Sequence, residues 1–129
     1  MIQKQLTKIE PSDIEELLRV ELREDRTTEY KVRLSLDPDS LLKAVSSFAN
    51  SIGGDLIFGI DAKDGIPTGV PGLDRAAIDK GILRLLDLSR SGLRPSLPLK
   101  EFDFKEVAWE NGRSVLLLRI PQSWGDRIK

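Results

Sequence analysis

The 129-residue chain carries 20 Lys and Arg against 21 Asp and Glu, a net charge of −1, with 40% apolar residues; this suits one globular domain with a real core. It contains no cysteine and no histidine, which excludes disulfides, thiolate centres, zinc sites and histidine-based catalysis. The near-balanced charge counts against tight non-specific nucleic-acid binding by the whole surface, while leaving room for a local basic face. Lack of cysteine fits a reducing, cytoplasmic setting, and the apolar runs, such as 115–118, are too short to cross a bilayer. No N-terminal stretch joins a basic start to an apolar core, so no secretory leader is expected.

Residues 1–11 have weak periodicity and read as an arm. Ser12, Asp13, Ile14 and Glu15 have capping-box spacing, and Ile14, Leu17 and Leu18 form an apolar face, which predicts a helix over 12–22. From 27 to 34, Thr28, Tyr30, Val32 and Leu34 alternate with Glu29, Lys31 and Arg33, the period of a half-buried strand. Asp37 and Pro38 start the next helix as cap and first residue. Its stripe of Leu41, Leu42, Val45, Phe48, Ala49 and Ile52 ends at Gly53 and Gly54. Leu56 to Ile60 is nearly all apolar, as a central strand requires.

Residues 61–72 read as a loop, with a short strand near 66–70. A helix over 74–89 turns Ile78, Ile82, Leu85 and Leu86 inward, weakened at Gly81 by about 1 kcal/mol relative to Ala. The Pro-rich stretch 91–98 is a connection. Over 99–109, Phe102 and Phe104 share one parity and Val107 and Trp109 the other, which predicts a bulge near Glu106. Asn111-Gly112 marks a tight hairpin, and 115–120 is the returning strand. The order is helix, then β-α-β-α-β-β: one two-layer α/β domain over 12–124, followed by a tail over 125–129. A chain stopping so soon after its last strand fits one module of a longer protein.

Some positions suit chemistry as well as structure. Lys31 and Arg33 on the strand face could contact phosphates, or form cross-strand ion pairs. Arg84, Arg90, Arg94 and Lys100 surround a helix end and loop, and Arg94 and Lys100 are the freer contacts. Asn50 suits a phosphate or base contact and equally a helix-end cap. Gly53 and Gly54 could form an anion nest. They follow a helix C-terminus, however, where the dipole disfavours phosphate, and they read as a structural hinge. No Gly-x-x-x-x-Gly-Lys-Ser/Thr sequence occurs, which speaks against ATP binding. Trp109 reads as hairpin or core packing, and Trp124 as a base-stacking or partner-facing residue.

The ordered set Glu24, Glu29-Tyr30-Lys31, Phe48-Ala49-Asn50-Ser51-Ile52-Gly53-Gly54, Gly59-Ile60-Asp61, Gly69-Val70 and Arg119-Ile120-Pro121-Gln122-Ser123 resembles the Schlafen AlbA_2 domain family. The resemblance spans roughly 22–124 and implies an Alba-like fold, a tendency to form homodimers, and a DNA-binding or transcriptional-regulator module, often followed by a winged helix. Lys31, Arg33, Asn50, Arg94 and Lys100 would then meet DNA or RNA, with no cofactor required. A second implication is metal-dependent cleavage of structured RNA by three acidic residues. Two carry over as Glu24 and Glu29. The third position holds Ala62, leaving Asp61 or Asp64 as substitutes; Glu24, Glu29, Asp61 and Asp64 are oxygen donors suited to Mg²⁺ or Mn²⁺. The third reading is a protein-interaction module.

Overall fold

A computed structural model of the chain describes residues 1–34, 37–92 and 98–122. Its elements run α1 (Pro11–Arg19), β1 (Thr28–Lys31), α2 (Pro38–Ala49), β2 (Gly54–Phe58), β3 (Asp61–Lys63), β4 (Ile66–Gly69), α3 (Arg75–Asp87), β5 (Phe104–Ala108) and β6 (Ser114–Ile120). One sheet has the order β1-β2-β6-β5, and β3 and β4 form a separate hairpin. β1 runs parallel to β2 with α2 as the crossover, and β6 is antiparallel to both its neighbours. This is the expected mixed α/β domain.

Both faces of the sheet are covered. Leu56, Phe58, Leu116 and Leu118 pack with Val45 and Phe48 of α2 and Ile78 and Leu85 of α3. Ile57, Leu117 and Val107 meet Ile9, Tyr30, and Ile14 and Leu17 of α1 on the other side. Successive strand residues point to opposite faces, so a strand covered twice must be apolar at consecutive positions. Every residue of β2 is accordingly buried. Each such Leu, Ile or Phe contributes about 1.5–3 kcal/mol.

Local chemistry sets the turns. Asp37 Oδ1 accepts the Ser40 amide at 2.9 Å and caps α2. At its far end Gly53, with φ +87°, donates its N–H to the Phe48 carbonyl at 2.9 Å. A Cβ on Gly53 would lie 2.8 Å from the Ile120 carbonyl oxygen, and one on Gly54 2.6 Å from the Phe48 ring. The pair therefore lets α2 turn into β2 at close range. Asn111 and Gly112, at φ 58° and 70°, make the tight turn joining β5 to β6, closed by the Arg113 amide on the Glu110 carbonyl at 3.1 Å.

The structure differs from the expectations in several places. Asp13, not Ser12, makes the reciprocal cap of α1: its Oδ2 accepts the Glu10 amide at 2.8 Å, and the helix begins at Pro11. β1 ends at Lys31, so the alternation fails beyond it and Val32 is 41% exposed. Ile52 is exposed because α2 has already ended at Ala49. There is no bulge near Glu106, since pairing runs unbroken from Phe104↔Leu118 to Ala108↔Ser114. The parity slip arises because Phe102 falls in a 3-10 turn before β5 and Trp109 lies past its end. The predicted strand near 66–70 is β4, and its partner β3 occupies what reads as loop. Arg94 and Trp124 lie outside the described residues.

Candidate functional site

Beyond the C-terminal ends of the parallel pair β1 and β2, an open groove of about 550 Å³ lies between residues 32–34 and α3. Such crevices beyond the carboxyl ends of strands are where open α/β sheets commonly hold ligands. One wall is the cap residue Asp74 and a single face of α3, Ala77, Lys80, Gly81 and Arg84, spaced three and four residues apart as helical neighbours are. Residues 32–34 form the other wall, and 71–73 with Arg113 close one end.

Glycines hold this arrangement together. A Cβ on Gly81 would come within 2.5 Å of Leu34 Cδ1, so the bare helix position is what seats Leu34 against α3. That is a packing reason for a residue that otherwise costs helix stability. Gly72, at φ +71°, bonds to the Gly59 carbonyl at 2.9 Å and leaves room for Arg113, whose Cβ a side chain there would approach to 2.9 Å. Leu73 and Ser114 exchange both backbone hydrogen bonds, at 2.7 and 2.9 Å, which fixes 71–74 to the start of β6.

The groove is basic. Arg113 is held by its own donors, Nε on the Pro71 carbonyl at 2.7 Å and Nη2 on the Gly72 carbonyl at 3.1 Å, and a guanidinium has five N–H groups, so three stay available. Arg33, Lys80 and Arg84 are exposed and make no ion pair among the described residues. Among the described residues the one lining carboxylate, Asp74, accepts the Ala77 amide at 2.7 Å and caps α3.

Of the residues singled out in the sequence, Arg33 lines this groove. Lys31 lies just before it on β1, 3.7 Å from Glu29 Oε2. Asn50 is exposed at the end of α2, and the hinge that follows it leads into the opposite end of β2. Lys100 is exposed, its backbone N–H on Asp103 Oδ2 at 2.8 Å, and does not line the groove.

The acidic candidates are dispersed in their bonding. Glu24 Oε2 accepts the Tyr30 amide at 2.8 Å on the sheet-edge strand β1, while the Glu24 amide donates to the Gly65 carbonyl at 2.7 Å. Asp61 Oδ1 accepts the Ala62 amide at 3.0 Å, and Asp64 turns the β3–β4 hairpin with φ 53°. Burial, helped by the charges of Glu24 and Asp25, raises the Tyr30 hydroxyl well above its ordinary value, and it donates to the Leu22 carbonyl at 2.7 Å. Among the described residues no three Asp or Glu side chains are grouped to hold a metal ion.

Sequence reasoning missed a polar centre at the other end of β2. Asp55 is fully buried and paired across the strands with Arg119, Nε–Oδ1 2.8 Å and Nη2–Oδ2 3.0 Å. Asp55 Oδ2 also accepts the Ile2 amide at 2.9 Å, while Arg119 donates to the Ile2 carbonyl at 2.8 Å and to that of Lys4. Residues 2–4, within the stretch read as an arm, are thereby tied to the sheet. The signal available was an acid opening an otherwise apolar run.

A family model described as Schlafen, AlbA_2 matches residues 24–128. Among solved structures, the N-terminal domain of a RecG-related protein from Nitrosomonas europaea aligns with TM-score 0.57 at 23% identity, covering 83% of this chain and 71% of that one. That likeness shows the fold. Among curated proteins none matches. Among the described residues, no helix is long and apolar enough to cross a membrane.

Proposed function

The chain belongs to the Schlafen AlbA_2 family, and from that premise we propose that it is a nucleic-acid-binding module whose phosphate contacts come from the groove beside α3. The observation that carries this reading is the set Arg33, Lys80, Arg84 and Arg113 around one concavity where, among the described residues, the single carboxylate is committed to a helix cap. A protein of nearly balanced charge that concentrates cations without ion-pair partners at one place creates a local field suited to a polyanion. The structural neighbour is named for its relation to a DNA helicase, which supports the same setting. The contacts are to phosphates, so they supply affinity and orientation and leave sequence unread.

The test is fluorescence anisotropy with labelled DNA and RNA at several salt concentrations, in EDTA because no metal is required. Affinity should fall as salt rises, with a log–log slope of about −3 for three to four phosphate contacts. The double variant Arg33→Ala/Arg84→Ala should reduce that slope by about two. Binding no tighter than ~10⁻⁴ M at physiological salt, or binding indifferent to the double variant, would instead favour a protein-interaction module.

A further inference from the structure

The shape of the groove narrows the class of nucleic acid. Proteins that read a duplex push a protruding helix or β-ribbon into the major groove, about 12 Å wide. Here the cations surround a depression, not a ridge. Its inner surface is mostly apolar and includes Val32, which is 41% exposed with no core to explain it, and Leu34, seated on Gly81. A duplex hides its base faces within the stack and offers such a depression phosphate and sugar alone. An unpaired nucleotide offers a flat base face as well; single-strand sites commonly meet it with aromatic rings, and this groove offers aliphatic surface in that place. The volume of about 550 Å³ falls among sites that hold small ligands, about 300–1,000 Å³.

We propose that the groove takes single-stranded nucleic acid, an unpaired base lying against Val32 and Leu34 and its flanking phosphates meeting Arg33, Lys80 and Arg84. This rests on the nucleic-acid reading above and makes it more specific. Two different kinds of residue then control two different observables. The cations set the salt slope, and the apolar wall sets the preference for unpaired bases.

The experiment compares an unstructured oligothymidylate of about 15 nucleotides with a duplex of the same length, a span suited to one single-strand site. The single strand should bind at least about tenfold tighter, and Val32→Ser should remove most of that preference without changing the salt slope. Arg84→Ala should lower the slope by about one for both probes. Val32 is exposed, so the variant should melt with the wild type, which thermal unfolding checks. A duplex bound as tightly as the single strand, or a Val32→Ser protein with its preference intact, overturns the single-strand assignment and leaves the binding module standing. If neither probe binds, the broader reading fails as well.

Discussion

The two ends of β2 treat arginine in opposite ways. At its start Arg119 is spent inside the protein, on both oxygens of a fully buried Asp55 and on the carbonyls of Ile2 and Lys4. Past its end, Arg33 and Arg84 line a groove without an ion pair among the described residues, and Arg113 uses part of its donors on backbone carbonyls. A guanidinium largely withdrawn from water against a fully buried carboxylate must be well matched, because an unmatched charge away from water is costly. An exposed one makes no such demand. The first end therefore reads as architecture, and the second is the surface proposed above for nucleic acid.

The comparison is most strongly tested at Asp55. Asp55→Ala leaves Arg119 with carbonyl partners and no counter-charge, and should cost about 3 kcal/mol, the lower part of the range for a broken buried pair. Urea denaturation reads the loss, and faster amide exchange at Ile2 should accompany it, since its acceptor is gone. A cost below about 0.5 kcal/mol, typical of plain surface sites, would mean that the arm and its pair are ornamental. Next in size is Gly54→Ala. Its Cβ would meet the Phe48 ring at 2.6 Å and the Thr27 carbonyl at 2.9 Å, an overpacking worth about 1–3 kcal/mol. Thermal unfolding checks it.

Much of this was legible in the sequence where one local rule decides. Asp37-Pro38 starts α2, Gly53 turns the chain from its end into β2, Asn111-Gly112 turns the last hairpin, and Leu56 opens the apolar part of a central strand. Legibility failed where tertiary contact decides. Periodicity could not show that Asp55, in the same strand, meets Arg119 across the sheet and binds residues distant in the chain. Nor could it separate a bulge in β5 from a strand flanked by a turn, because both shift parity. Of the β3–β4 hairpin only β4 was legible; β3 is three residues long, too short for alternation to mark it. In the groove, Arg33 stood out by charge and Gly81 looked like a flaw in a helix. The fold makes them partners by bringing Leu34 onto that glycine.

Between the two ends stands Glu24, half-buried, with one oxygen on the edge amide of Tyr30. Glu24→Ala should cost about 1–2 kcal/mol by orphaning that amide, whereas Glu24→Gln keeps an acceptor and should stay within about 0.5 kcal/mol. If both lose equally, the negative charge of Glu24, and not the acceptor alone, holds the Tyr30 edge.

The smallest stability effect belongs to the groove, and that is its diagnostic value. Arg33→Ala/Arg84→Ala should melt within about 0.5 kcal/mol of wild type, since neither side chain holds an ion pair that folding would lose. The same double variant should weaken nucleic-acid binding and flatten its salt dependence. Loss of binding with unchanged stability separates a cation kept for a ligand from one kept for the fold. Loss of both would show that the groove, like the Asp55 end, is held together by its charges. The contrast between the two ends of β2 would then vanish.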